Sequence, residues 1–315
     1  MRRIIALICL LVLPANGFAW NSFGHMAVAW IAYQHLNPNT KSLVDSLIAK
    51  NPSYKTWKAS LPPGITADQR NLYLFMIAAT WPDQIRGDKS YHDEGGDHGN
   101  RPPDTGGSAN LGYGDKARHK YWHFIDVPFT QDATPLGLVP TPNLETEVAV
   151  FRQTLSSKAT LKLKSYDLAW LIHLIGDVHQ PLHCSSRYTT TQPTGDAGGN
   201  LVKFCSATAT TCSDNLHGFW DGLLGPTSAK PEDVAAVATT LSPVEVKPDD
   251  LDTHTWVDES FDLARTVVYA NPPVGDGAGP FQFNQAYADN AKLIAQRRVM
   301  QAGLRLANIL NTDLK

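Results

Sequence analysis

The chain has 315 residues, with Lys+Arg 27 against Asp+Glu 30, a formal net charge of -3 and 43% hydrophobic residues. That length supplies one large domain or two small ones and ample chain for a buried core, and nothing in the sequence reads as a linker that would favour two. The acidic balance excludes a broadly basic nucleic-acid-binding surface, so any attraction for a polyanion has to be local.

The chain opens on Arg2 and Arg3, an apolar run over residues 4–13, and then Pro14-Ala15-Asn16-Gly17-Phe18-Ala19. This pattern predicts a secretory signal peptide over residues 1–19. Its apolar core of about ten residues is too short to span a bilayer as a helix, and Gly17 and Ala19 form the small-x-small pair that precedes cleavage. Cleavage before Trp20 leaves residues 20–315 as a single exported domain, periplasmic or secreted, with no membrane anchor. It removes two arginines and no acid, so 25 Lys+Arg then face 30 Asp+Glu, a formal charge of -5. Of the cysteines, Cys184, Cys205 and Cys212 remain, an odd number in a compartment that permits disulfides. Cys205 and Cys212 flank a Ser/Ala/Thr-rich turn and are placed to pair; Cys184 bonded to either of them is the alternative. Their uneven spacing does not read as a cysteine zinc site.

In chain order, Leu43, Val44, Leu47 and Ile48 follow Thr40 as a cap, and Leu72, Phe75, Met76 and Ala79 recur at helical spacing. Similar stretches run over residues 144–155, 166–178, 234–241, 257–269 and 285–310, which predicts a mainly α fold. Residues 87–114 are rich in Gly, Pro and Asp without periodicity, which reads as a long loop near the mouth of a site. Residues 195–211 carry the β signal, a short hairpin introduced by Gly198-Gly199-Asn200.

The chemistry concentrates in His173-Leu-Ile-Gly-Asp177-Val-His179-Gln-Pro-Leu-His183. His173 and Asp177, four apart, project from one helix face, and Pro181 turns His183 back. One such pair is more often a solvated ion pair than a ligand set. His217-Gly-Phe-Trp-Asp221 repeats the spacing inside an apolar segment, where unpaired charge is costly and metal coordination offsets the cost. Trp81-Pro82-Asp83, closing an apolar helix, and His123-Phe124-Ile125-Asp126 place further lone polar groups among aromatics. Taken singly, each reads as a satisfied core residue. Imidazoles and carboxylates without thiolate suit catalytic zinc, which keeps a position open for water, with manganese or iron as the alternatives. Cleavage before Trp20 exposes an amine five residues ahead of His25, and a deprotonated amine is a competent nitrogen ligand.

Together these motifs resemble the single-strand-specific, zinc-dependent S-one/P-one nucleases of fungi, plants and bacteria. Trp20-x4-His25, Trp81-Pro-Asp83, His123-Phe-Ile-Asp126, His173-x3-Asp177-x5-His183, Gly-Gly-Asn200 and His217-x3-Asp221 occur in the family's order across nearly the whole mature chain. The resemblance implies a multi-helix phospholipase C/nuclease-type fold and three zinc ions. Asp83, His123, His173 and Asp177 would hold one ion; the amine and carbonyl of Trp20, with His25 and the second oxygen of Asp177, its neighbour; His183, His217 and Asp221 the third. It further implies a base pocket of Phe124, Asp126 and Asn200, and a phosphate-facing Arg86. The implied substrates are single-stranded DNA or RNA and nucleotides, including 3′-mononucleotides, cut by a monomer with no stable protein partner.

The Thr-rich stretch after His183 and the Cys205–Cys212 insert depart from the family pattern. Two rivals have different signatures. Zinc-dependent phospholipases C share the N-terminal tryptophan, but their first histidine lies further away and their closing pair is His-x3-Glu rather than His217-x3-Asp221. A non-catalytic exported zinc-binding protein has little use for a bridging carboxylate beside a Phe124/Asp126 pocket. His35, His92, His98, His119 and His254 match no motif position and read as surface or structural residues, while His179 is suited to supporting the ligands.

Overall fold

The computed structural model describes residues 20–94 and 110–314; the expected signal peptide, and residues 95–109 of the expected loop with His98, lie outside the described residues. The described residues form α1 (Ser22–Gln34), α2 (Pro38–Ile48), α3 (Tyr54–Ala59), α4 (Ala67–Ala78), α5 (Trp81–Gly87), α6 (Leu144–Ser156), α7 (Leu161–Asp177), α8 (Leu216–Asp221), α9 (Pro231–Ala238), α10 (Thr253–Leu263) and α11 (Gln285–Asp313). Strands are short: β1 (Pro128–Thr130), β2 (Ser186–Tyr188), β3 (Phe204–Ser206) and β4 (Phe281–Phe283). The mainly helical class follows the periodicity, and capping side chains set several starts. Asn21 accepts from Phe23 N at 3.0 Å to open α1, Asn143 caps α6, Thr160 caps α7 and Asn215 caps α8.

Three boundaries differ from expectation. Thr40 lies inside α2 rather than capping it, because Pro38 at the first helical position, after Asn37, already starts the helix. Trp81-Pro82-Asp83 opens α5 instead of closing α4, since proline fits a helix's first turn. The hairpin over residues 195–211 is reduced to a single antiparallel bridge, Lys203 with Asn215, while β3 forms its ladder in parallel with the remote β4, Cys205 opposite Gln282. The second ladder, β1 with β2, is also parallel and joins Pro128 to Ser186. Cys205 and Cys212 are bonded to each other, and Cys184 is free and buried.

Helix α7 organises the core. Every residue from Ser165 to Asp177 is buried, so this part of the helix has no solvent face, and α1, α2, α5, α6 and α11 surround it. Trp170 meets Trp122 at 4.9 Å between ring centroids and Trp81 at 6.3 Å. Full burial of each large apolar side chain contributes roughly 1.5–3 kcal/mol. Leu168, Trp170, Leu171, Ile172, Leu174 and Ile175 therefore hold His173 and Asp177 at the centre of the molecule. Among the described residues, no helix is long and apolar enough to cross a membrane.

A partly buried ion network clamps the turn after α7. Glu259 on α10 accepts from Arg298 Nη1 at 2.6 Å and from Arg305 at 2.7 Å through both of its oxygens. Arg305 also donates to His179 Nε2 at 2.9 Å, whose Nδ1 donates to Ile175 O. Arg298 donates to the His179 carbonyl, and Ser260 to the Val178 carbonyl. His179 is thus a neutral acceptor that ties the segment between Asp177 and His183 to α10 and α11. Burial by itself would raise the Glu259 carboxyl, but hydrogen bonds from Arg305 and Arg298 outweigh it and hold the group at about 2.

A depressed carboxylate contributes stability above its unfolded value, about 4.3, and loses it as pH falls through its folded value. Wild-type melting temperature is therefore expected to drop between about pH 4.5 and 2 more steeply than that of Glu259→Gln, which should be less stable at neutral pH. Parallel curves from calorimetry would exclude this contribution.

Candidate metal centre

Six elements deliver the predicted ligands to one buried region. His25 lies in the first turn of α1, Asp83 in α5, His123 at the end of the 3-10 turn Lys120–His123, His173 and Asp177 in α7, His183 in the 3-10 turn Pro181–Cys184, and His217 and Asp221 in α8. All eight are buried. Three groups bring ligand atoms within 4.8 Å of one another: His25, Asp83 and His173; His123, His173 and Asp177; His183, His217 and Asp221.

Asp177 stands between two sets of rings. Its Oδ2 faces His173 Nε2 at 3.2 Å and His123 Nδ1 at 3.3 Å, while its Oδ1 faces His25 Nε2 at 3.3 Å. His25 stacks on His173 with centroids 3.7 Å apart. Asp83 Oδ1 lies 3.9 Å from both His123 Nδ1 and His173 Nε2. The close approach of α1 to α7 depends on Gly176, where a Cβ would fall 2.8 Å from His25 Nδ1.

Backbone carbonyls set the tautomers. His173 Nδ1 meets Ala79 O, His183 Nδ1 meets His123 O, and His217 Nδ1 meets Gly198 O, each at 2.7 Å. A carbonyl only accepts, so each Nδ1 carries the proton and each Nε2 presents a bare lone pair. His183 Nε2 and His217 Nε2 nevertheless face each other at 3.1 Å, with Asp221 Oδ2 3.5 Å from His217 Nε2. Two lone pairs do not hydrogen-bond; a shared cation satisfies both.

Buried ligand-type atoms are left without hydrogen-bond partners: both ring nitrogens of His25, Asp83 Oδ1, His123 Nε2, both oxygens of Asp177 and Asp221 Oδ2. Orphaned polar atoms at such density are costly unless a cation takes the acceptors among them. Burial pushes the Asp177 and Asp221 carboxyls well above the usual carboxylate range and Asp83 to about 6. It pushes the His25, His123 and His183 rings well below theirs and lowers His173. Neutral imidazoles with carboxylates seeking a cation form a donor set that suits zinc.

The remaining predicted residues surround this region. Trp20 is buried against Gly24, and the next residue, Asn21, donates its backbone N–H to Asp221 O at 3.3 Å, which carries the chain start to α8. Arg86 Nη1 lies 3.7 Å from Asp83 Oδ1. Phe124 and Asp126 are half-buried beside His183, because Ile125 N–H donates to His183 O at 2.8 Å. Asn200, also half-buried, donates from Nδ2 to Ala197 O at 2.9 Å.

Gln180 was not singled out by spacing, yet its Nε2 donates to Asp221 Oδ1 at 2.7 Å and its Oε1 accepts from Leu182 N–H at 2.6 Å. Its place inside the histidine-rich stretch was the available signal. His119 sits between Glu94 and Asp115, each at 3.0 Å, and stacks on Trp122, while His254 is exposed beside Glu145.

The family model described as S1/P1 Nuclease matches residues 20–315. Endonuclease 3 of Arabidopsis thaliana is 22% identical over 335 residues, spanning 98% of this chain and 93% of that protein. A match over the whole segment that carries the buried histidines and aspartates accounts for their convergence, and the chain belongs to the S1/P1 nuclease family, zinc-dependent hydrolases of phosphodiester bonds.

Proposed function

We propose that the protein is an exported, monomeric endonuclease that starts at Trp20 and hydrolyses single-stranded DNA and RNA to products ending in 5′-phosphate and 3′-hydroxyl, using three zinc ions. The observation that carries this reading is the pair of bare Nε2 lone pairs on His183 and His217 at 3.1 Å. The two oxygens of Asp177, turned to different rings, support it for the neighbouring pair of ions. Asp83, His123, His173 and Asp177 would hold one ion. The amine and carbonyl of Trp20, His25 and Asp177 would hold the second, and His183, His217 and Asp221 the third. The family match beginning at Trp20 coincides with the expected cleavage point.

Zinc in these positions supplies Lewis acidity, lowering the pKa of water toward neutrality and neutralising charge on the phosphate. Six positive charges against three aspartates leave about three, a local attraction for a polyanion within an acidic chain. The Arg86 guanidinium would hold phosphate oxygens by charge-assisted hydrogen bonds. Phe124 would stack on one base while Asp126 and Asn200 bond its edge. Stacking tolerates any base, and an unpaired base arrives without an unstacking cost of a few kcal/mol. The same contacts would admit 3′-mononucleotides.

The test compares protein exported to start at Trp20 with protein carrying one extra residue before it, measuring hydrolysis of single-stranded DNA and RNA and the zinc held. Loss of zinc and activity in the extended form is expected. Equal activity in both would remove the amine ligand, and turnover of phosphatidylcholine in place of nucleic acid would replace the nuclease reading with a phospholipase.

A further inference from the structure

The turn that follows α7 carries a glutamine bonded to three of the predicted ligands. Gln180 is fully buried. Its backbone N–H donates to Asp177 O at 2.9 Å, its carbonyl accepts from His183 N–H at 3.0 Å, and its side chain reaches Asp221. Asp177 belongs to α7, His183 to the 3-10 turn Pro181–Cys184 and Asp221 to α8, so one residue joins three elements of the centre. The chain just before it is held from outside: Arg298 donates to the His179 carbonyl and Ser260 to the Val178 carbonyl.

The amide has one orientation. Leu182 N–H is a donor and needs an acceptor, so the atom 2.6 Å from it is Oε1. Nε2 then lies 2.7 Å from Asp221 Oδ1 and donates to it. Exchanging the two atoms would set donor against donor at Leu182 and acceptor against acceptor at Asp221, leaving two bonds unmade in a buried place. Asp221 is thereby divided. Oδ1 is engaged by the amide, while Oδ2, without a hydrogen-bond partner, lies 3.5 Å from His217 Nε2.

The choice of side chain points beyond a cap. Caps are ordinarily Ser, Thr, Asp or Asn. Asparagine would supply the same oxygen to Leu182 on a stem one methylene shorter, too short to serve Asp221 as well. A lysine or arginine would reach Asp221 but cancel its charge. A neutral amide orients the carboxylate and leaves that charge for a cation.

We propose that Gln180 is a positioning residue for the third ion: it turns Asp221 Oδ2 toward His183 and His217 and fixes that set relative to Asp177. This rests on the three-ion reading above and deepens it. Ligating carboxylates are held by hydrogen bonds of this kind, and losing one lowers metal affinity by about 10–100-fold.

The experiment uses the full exported protein, Gln180→Met and Gln180→Asn, and follows zinc release to a chromophoric chelator. Methionine keeps the volume and loses both hydrogen bonds; asparagine keeps the cap and loses the bond to Asp221. Each variant is expected to release one of its three ions at free zinc about 10–100-fold higher than wild type does, and the other two as wild type does. Asp221→Asn is expected to loosen the same ion. Adding Gln180→Met to it should then change release by less than about twofold, because the two residues act through one bond. Hydrolysis lost at limiting zinc is expected to return in excess zinc, since the buried Gln180 meets no substrate. If methionine prevents folding, the asparagine variant carries the comparison. A role confined to folding would lower the melting temperature in chelator and leave zinc release unchanged, which overturns the proposal. An asparagine variant that holds all three ions like wild type, or equal loosening of all three, overturns it too. Wild type that binds two ions or fewer overturns the three-ion reading with it.

Discussion

Replacing Asp177 by asparagine is expected to lower phosphodiester hydrolysis by at least about a thousandfold, roughly 4 kcal/mol of activation free energy. The same change is expected to leave the zinc-free protein as stable as wild type or more so. The two effects share one cause. Asp177 is buried, its oxygens have no hydrogen-bond partner, and burial raises its carboxyl well above the usual range. A carboxyl raised in the folded state adds nothing below its unfolded value, about 3.9, and destabilises increasingly as pH climbs toward the folded value. Asparagine removes that penalty at neutral pH. Zinc reverses the order, because an ion that binds only the folded state stabilises it by mass action, and asparagine is a poorer ligand. Melting temperatures of both proteins in chelator and in excess zinc, with zinc content measured, make the check: the ranking should cross. A variant less stable than wild type in chelator and equally stable in zinc would show that Asp177 serves packing rather than metal.

Gly198→Ala is expected to destabilise the protein by about 2–4 kcal/mol and to lose the metal held by His183, His217 and Asp221 while the other sites fill. Gly198 has φ +58, a Cβ there would collide with the Leu182 carbonyl oxygen, and it would also lie 3.4 Å from His217 Nδ1. The Gly198 carbonyl accepts from that same Nδ1, so a shifted turn misdirects the ring. Buried Asp196 holds the turn from behind, accepting from Gly199 N–H, Arg187 N–H and the Tyr269 hydroxyl. The adjacent Ala197 already adopts φ +57, so left-handed backbone by itself is tolerated here. Ala197→Gly is therefore the control, expected to change stability by less than about 1 kcal/mol. Chemical denaturation and zinc stoichiometry of the two variants separate the collision from the backbone conformation; equal losses in both would remove the collision as the cause.

The helical class and the residue types of the centre were legible because both are local properties. His173 with Asp177 and His217 with Asp221 sit four apart, and helical geometry by itself puts each pair on one face. The Cys205–Cys212 bond closes a short loop and was readable for the same reason. Spacing did not reveal that β3 takes β4 as its ladder partner or that Gln180 binds Asp221. These contacts join segments brought together by packing, and packing leaves no period in the sequence. His25 stacks on His173 because α1 crosses α7 at Gly176. The carbonyls of Ala79, His123 and Gly198 choose the tautomers of three rings, and every residue has a carbonyl, so no residue type marks those positions. The sequence by itself determined which side chains can bind metal and their spacing along each helix; the tertiary structure decided which of them meet, through which atom, and in which protonation state, because those choices depend on backbone groups and long-range contacts.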